Sequence, residues 1–222
     1  MGGLSWEDAE LCLLEDYFLG LTGRAQPRVL FVPTAVGDGA EHTLWAYTQL
    51  GDRARVSHLP FFPWPPTGLR ELALEQDVIY VSGGNTANAL AIWRAHGFDA
   101  ILREAWEAGV VLAGWSAGMI CWFEAGVTDS FGPQLEGMRD GLGFLPGSAC
   151  PHYDGEAERR PVYTKLVAEG FPPGLAADDG VSLRFDGTEL AETVSVRPAA
   201  RAYRVGAGGE EPIEPRLLLS GP

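Results

Sequence analysis

Residues 110–119 read V-V-L-A-G-W-S-A-G-M. A short apolar run of β-type residues ends in Gly114-Trp115-Ser116-Ala117-Gly118, and a helix-compatible segment follows. This is a G-x-S-x-G elbow in the setting that gives the pattern meaning: strand, tight turn, helix. The glycines on either side of Ser116 carry no Cβ, so the chain can turn sharply and leave the hydroxyl exposed at the strand's end. The start of the next helix directs backbone N–H groups, and the positive end of its dipole, at the same spot. A hydroxyl beside unpaired N–H donors is the start of an acyl-transfer site. Stripped of the strand and the helix, the same five letters are a Gly-rich turn.

Outward from this elbow the chain alternates. Residues 28–33 (R-V-L-F-V-P), 54–59 and 77–81 (D-V-I-Y-V) read as strands. Residues 6–21 carry Leu11, Leu14, Phe18 and Leu21 at helical spacing, with Gly23 as the stop. Helices are also predicted over 38–50, 86–96, 99–108 and 156–169. Strands alternating with helices call for an α/β fold, a mostly parallel sheet with helices on both faces. Residues 181–185, 189–196 and 200–205 read as late antiparallel strands, joined by turns such as Asp186-Gly187. From Gly206 onward the chain reads G-A-G-G-E-E-P-I-E-P, a loose tail. With no internal repeat and no dividing linker, the expectation is one domain over residues 1–205 and a tail over 206–222. Residues 60–66 (P-F-F-P-W-P-P) cannot be regular helix, because proline fixes φ and lacks the N–H. This apolar loop is either a packed connector or part of a pocket or of a subunit contact in a homo-oligomer.

Composition narrows the class. The chain has 222 residues, 46% of them hydrophobic and 21% charged, enough to bury the core of an α/β domain. A net charge of −14 with no basic stripe argues against nucleic acid and anionic membrane as partners. No apolar run approaches a membrane span, and the first seven residues (M-G-G-L-S-W-E) show no basic n-region of a signal peptide. The three cysteines, Cys12, Cys121 and Cys150, have no framework spacing and read as free thiols in a reducing cytoplasm.

In parallel sheets ligands bind outside the carboxyl ends of the strands. Two Gly-rich turns are placed there, at 82–86 and 114–118, and are expected to face each other across one site. Ser82-Gly83-Gly84-Asn85-Thr86 lacks the lysine of a Walker loop and the G-x-G-x-x-G pattern. It makes better sense as an oxyanion loop, with the N–H groups of Gly84 and Ala117 as donors. A serine nucleophile needs a base. His42 and His96 fall on predicted helices and His58 ends a strand, whereas His152 lies in a loop, G-S-A-C-P-H-Y-D-G over 147–155, and is the candidate base. The base should be oriented by a carboxylate. Asp129, Asp178 and Asp179 are available, and spacing does not choose among them. Cys150 and His152 make only a C-x-H pair, and no H-E-x-x-H is present, so the residues do not suggest a metal site.

Five segments now combine: Pro33-Thr34-Ala35, Gly83-Gly84-Asn85-Thr86, Gly114-Trp115-Ser116-Ala117-Gly118, Cys150-Pro151-His152-Tyr153-Asp154 and Asp178-Asp179-Gly180. Their order and approximate spacing resemble the dipeptidase E family of serine peptidases, to which cyanophycinase is related. The resemblance runs over roughly residues 2–205. It implies a fold like that of class I glutamine amidotransferases rather than the α/β-hydrolase fold. It implies no metal or organic cofactor, and cleavage of short peptides with an N-terminal aspartate. Position by position, Ser116 matches the nucleophile and His152 the base. The acid matches either Asp129 or Asp179; Asp179 is favoured because it follows His152 and heads a late strand. Some relatives carry Glu there, one methylene longer, so the geometry has to adjust. The family usually begins with a β-strand leading into a Gly-rich turn, whereas this chain begins at Met1-Gly2-Gly3, with the turn but without the strand. Either the sheet lost a strand or the start codon is misassigned.

A substrate aspartate brings a carboxylate into an acidic protein, so the site needs a local cation or several N–H donors. Arg159 and Arg160 follow His152 at the start of a predicted helix, where an arginine opposes the helix dipole. Either they pair with Glu156 and Glu158 on a solvated face, or at least one of them, with Asn85 or Asn88, binds substrate carboxylate. Two rival readings stand beside the peptidase. One is a cyanophycinase-like hydrolase or esterase using the same Ser116 and His152; the other is a binding protein that keeps the fold without turnover.

Overall fold

The computed structural model describes residues 1–3, 8 and 10–219. The chain forms two compact units, Glu15–Gly118 and Met1–Leu14 with Met119–Pro222. The expected helix over 6–21 is observed as α1 (Leu11–Gly20); residues 6, 7 and 9 lie outside the described residues.

The unit Glu15–Gly118 is built on β1 (Arg28–Val32), β2 (Arg55–His58), β3 (Val78–Val81) and β4 (Val111–Gly114). All pairings are parallel, in the order β2-β1-β3-β4. Val29, Leu30, Phe31, Val32, Val78, Ile79 and Tyr80 are fully buried, which is why the two central strands read as unbroken apolar runs. Helices α2 (Ala40–Leu50), α3 (Leu69–Leu74), α4 (Thr86–Ala95) and α5 (Phe98–Glu107) flank the sheet. The short α3, which the sequence pattern did not suggest, packs on α5, as does α4. The proline-rich loop is irregular, as expected. It is tied down by the Asp38 carboxylate, which accepts from the N–H groups of Phe61 and Phe62.

One-turn helix α6 (Ala117–Ile120) begins in this unit and ends in the other, which continues with β5 (Phe123–Thr128), β6 (Glu136–Met138) and β7 (Leu145–Cys150). Then come α7 (Arg159–Ala168), β8 (Gly174–Ala177), β9 (Val181–Asp186), β10 (Glu189–Ser195), β11 (Ala202–Gly206), β12 (Gly209–Ile213) and β13 (Arg216–Leu217). A six-stranded sheet runs β12-β11-β8-β7-β5-β6, and a three-stranded one runs β13-β10-β9. Strands β5, β7 and β8 are parallel; β11 is antiparallel to β8 and β12.

The result is an α/β protein with parallel strands flanked by helices and mixed late strands. Strands β5 to β8 were not foreseen. The three late strands are antiparallel as expected and divide between two sheets, β9 with β10 in one and β11 beside β8 in the other. One expectation is corrected. Residues 207–217 do not form a loose tail, because β12 completes a hairpin with β11 and β13 pairs with β10; residues 220–222 lie outside the described residues. Among the described residues, no helix is long and apolar enough to cross a membrane.

Candidate active site

The elbow belongs to the unit Glu15–Gly118. Adjacent parallel strands β3 and β4 have Val81 opposite Gly114, so the turns that follow them lie side by side. A Cβ added to Gly83 would stand 3.4 Å from Ser116 Cβ and 2.7 Å from Trp115 Nε1. The two Gly-rich turns singled out in the sequence therefore meet. Ser116 has φ 54°, in the left-handed region that non-glycine residues seldom occupy. Its two glycines are demanded by space: a Cβ at Gly114 would be 2.4 Å from Gly118 O, and one at Gly118 2.5 Å from Val81 O. Trp115 fixes the turn from below, its ring 6.3 Å from and nearly parallel to Phe31 and in contact with Trp45 and Tyr80.

Gly84 has φ 120°, and a Cβ there would collide with Ala35 O at 2.3 Å. The next N–H, of Asn85, is held by the same carbonyl at 2.7 Å. The Asn85 side chain caps α4 by accepting from Asn88 N at 2.9 Å, and Asn88 itself is exposed. Ala117 opens α6, so its N–H has no intrahelical acceptor.

His152 belongs to the other unit. Strands β7 and β8 are adjacent and parallel, with Cys150 opposite Ala176. The segments that leave their carboxyl ends, Pro151-His152 and Asp178-Asp179, therefore run side by side. Tyr153 N donates to Ala177 O at 3.1 Å, and His152 Nδ1 lies 2.8 Å from Asp179 Oδ1. An ionised carboxylate only accepts, so Nδ1 carries the proton and Nε2 is left as the basic nitrogen. His152 also has a left-handed φ, 53°. Burial opposes charge on Asp179, but the bond from His152 and the positive charges of Arg197 and Arg159 outweigh it. They hold the carboxyl below the usual carboxylate range.

Asp179 is further fixed by its own N–H, which donates to Asp154 Oδ1 at 2.7 Å. Asp154 was not singled out in the sequence; its place between His152 and Gly155, in a turn-forming stretch, was the available signal. Asp178 is buried. Its Oδ2 accepts from Arg201 N at 2.8 Å, while its Oδ1 has no partner among the described residues. Burial, together with the neighbouring charges of Asp154 and Asp179 and despite that bond, pushes its pKa up to about 6. Asp129 is exposed just past the end of β5, and its carbonyl accepts from Gly132 N.

The two arginines have partners. Arg159 is only 3% exposed; it donates to Glu156 Oε2 and to Val127 O, each at 2.7 Å. Those contacts explain an arginine at a helix start. Arg160 is 45% exposed and pairs with Glu210 on β12, not with Glu158. Its guanidinium lies 5.2 Å from the Tyr153 ring centre and 4.8 Å from that of Tyr203. Of the remaining histidines, His58 Nδ1 meets Tyr47 OH at 3.1 Å and His96 ends α4 against Phe61.

Residues 2–193 match peptidase family S51. The chain is 51% identical over 206 residues to an uncharacterized peptidase of Bacillus subtilis, covering 92% of this chain and 88% of that protein. It is 28% identical over 160 residues to peptidase E of Shewanella denitrificans, covering 61% and 68% of the two chains. Among solved structures, a peptidase from an acI-B1 Actinobacterium superposes with a TM-score of 0.69 at 18% identity, over 97% of this chain and 92% of that one. A putative peptidase E from Listeria monocytogenes superposes with a TM-score of 0.56 at 19% identity, over 95% and 94%. The chain belongs to peptidase family S51: it is a serine peptidase similar to peptidase E.

Proposed function

We propose that this peptidase removes an N-terminal aspartate from short peptides such as Asp-X dipeptides, through an acyl-enzyme on Ser116. His152 takes the Ser116 proton and passes it to the leaving amine. Asp179 orients the imidazole and stabilises the imidazolium. The N–H groups of Gly84 and Ala117 receive the developing oxyanion. Water then attacks the ester, with His152 again acting as base, and frees the aspartate. The observation that carries this reading is the 2.8 Å contact of His152 Nδ1 with Asp179, which leaves Nε2 free to accept a proton. The left-handed Ser116 between two glycines crowded by neighbouring backbone supports it.

The aspartate preference rests on the likeness to peptidase E and on the need for a cation in an acidic protein. At least one of Arg159 and Arg160, with Asn85 or Asn88, is proposed to hold the substrate carboxylate. A cytoplasmic location belongs to the same reading and rests on the three free cysteines.

The test is a panel of Asp-X, Asn-X, Ala-X and β-aspartyl dipeptides and simple esters on purified protein. Selective release of N-terminal aspartate supports the reading. Preference for β-aspartyl links or esters moves the chain to a cyanophycinase-like or esterase activity. Failure of Ser116 to label with a serine-reactive fluorophosphonate leaves a binding protein.

A further inference from the structure

Two glycines distant in sequence press on Asp179 from opposite sides. A Cβ on Gly155 would lie 2.2 Å from Asp179 Oδ2 and 3.0 Å from its Cγ. A Cβ on Gly3 would lie 2.2 Å from His152 Cε1, 2.3 Å from His152 Nδ1 and 2.5 Å from Asp179 Oδ1. The backbone of residue 3 thus stands over the Nδ1–Oδ1 hydrogen bond itself, and that of residue 155 stands against the other carboxylate oxygen. Neither glycine has a positive φ, so backbone freedom is not what requires them. What they supply is the missing side chain.

Both backbones are pinned. Gly2 N donates to Val181 O at 2.8 Å, and Gly180 N donates to Gly3 O at 2.7 Å. The loop carrying Gly155 is closed by Glu156 N donating to His152 O at 3.1 Å and by Asp154 accepting from Asp179 N. The atoms nearest to a methyl group added at either position are side-chain atoms of the pair. The imidazole and carboxylate would therefore move first.

We propose that Gly3 and Gly155 are positioning residues that hold His152 and Asp179 in register from both sides. The proposal rests on the assignment of that pair as base and orienting acid. The glycines touch neither substrate nor reacting atoms. They act by leaving one rotamer of Asp179 and one plane of the imidazole accessible. A displacement of about 1 Å in such a pair costs on the order of a hundredfold in rate.

The experiment uses Gly155→Ala and Gly3→Ala in the full chain, alone and combined with Asp179→Asn. Hydrolysis of an Asp-Ala dipeptide gives kcat and KM, circular dichroism gives the thermal midpoint, and proton NMR reads the far-downfield Nδ1–H of His152. Absence of that resonance in Asp179→Asn assigns it, and it needs no substrate. Each alanine variant should fold, keep its KM, lose roughly ten- to a hundredfold in kcat, and shift or lose the downfield proton. In the Asp179→Asn background the same alanines should add little, because the group they displace no longer orients the ring. Folded variants with native kcat and a native downfield proton overturn the proposal. So do losses that multiply fully with Asp179→Asn. Full activity in Asp179→Asn alone refutes the assignment of the acid instead. A variant whose midpoint collapses shows a structural role in place of a positioning one and likewise overturns it.

Discussion

His152 Nδ1 stands 2.8 Å from Asp179 Oδ1 although the two residues are 27 positions apart. The contact follows from the register that sets Cys150 beside Ala176 in parallel strands. Replacing the carboxylate by an amide removes the charge that stabilises the imidazolium and lets the ring take the wrong tautomer. Asp179→Asn should therefore lower kcat by a factor on the order of 10³–10⁴. Asp129→Asn, at an exposed site past β5, should leave kcat near native. Steady-state kinetics on both variants decide the matter; the opposite ranking would hand the role to Asp129.

Ser116→Ala removes one oxygen at a backbone position already strained at φ 54°. The strain is held by Gly114 and Gly118 and does not depend on the hydroxyl, so the fold should persist and turnover should fall by several orders of magnitude. His152→Ala should fall nearly as far, and the double variant no further, since the two act as a unit. More than a few per cent residual turnover in Ser116→Ala is incompatible with this nucleophile.

Much of this arrangement could be read in the sequence, and the part that could not has a physical cause. The elbow was legible because strand, glycines and serine are contiguous. Strands β1 and β3 were legible because both of their faces are buried and every residue but Arg28 is apolar. Strands β7 and β8 were not, because their facing ends are Gly-Ser-Ala-Cys and Gly-Leu-Ala-Ala. They are small for closeness: a Cβ on Gly174 would lie 1.9 Å from Ser148 O. Small residues have low strand propensity, so the feature that brings His152 to Asp179 is the one the pattern hides. The choice between Asp129 and Asp179 was open for the same reason, because only strand register distinguishes them.

Gly84→Ala tests the oxyanion loop. At φ 120° an alanine is strained, and its methyl would meet the backbone carbonyl of Ala35 at 2.3 Å, a group that cannot rotate away. Strain of this kind costs of order 1–3 kcal/mol. The variant should melt several degrees lower and lose kcat more than KM, as the loop shifts its N–H away from the developing charge. Native kinetics at native stability would remove Gly84 from the site.

Asp178 and Asp179 are neighbours with opposite pH responses. Burial raises Asp178 to about 6, so the folded state holds its proton where the unfolded chain has lost it. That contribution to stability is fully present below the ordinary carboxylate value and is lost as pH rises through about 6. Asp179 is held below the ordinary range, so its contribution is present above that range and is lost on acidification. Asp178→Asn should therefore raise the melting temperature at pH 8 by an amount equivalent to at most about 3 kcal/mol, and by less at pH 5. Thermal melts across that interval check the sign; stabilisation confined to pH 5 contradicts it.

On the proposed reading, specificity turns on which arginine can exchange its present partner for a substrate carboxylate. Arg159 is buried against Val127 O, so Arg159→Ala removes its hydrogen bonds to that carbonyl and to Glu156 and should cost stability, roughly 1–3 kcal/mol. Its effect on kcat/KM should be similar for Asp-X and Asn-X. Arg160 is half exposed, lies against Tyr153 and Tyr203, and is paired with Glu210, a carboxylate that a substrate aspartate would replace. If Arg160 binds the substrate side chain, Arg160→Ala should lower kcat/KM for Asp-X by roughly ten- to a hundredfold. The effect on Asn-X should be far smaller, so the Asp-over-Asn ratio collapses. Glu210→Gln removes the competing charge and one of the two acceptor oxygens that Arg160 and Tyr153 use, so it should raise kcat/KM for Asp-X. The four kinetic ratios form a closed test. A preference for aspartate that survives Arg160→Ala, or a Glu210→Gln variant that discriminates less well than native, would show that the substrate carboxylate is held elsewhere even with the serine chemistry intact.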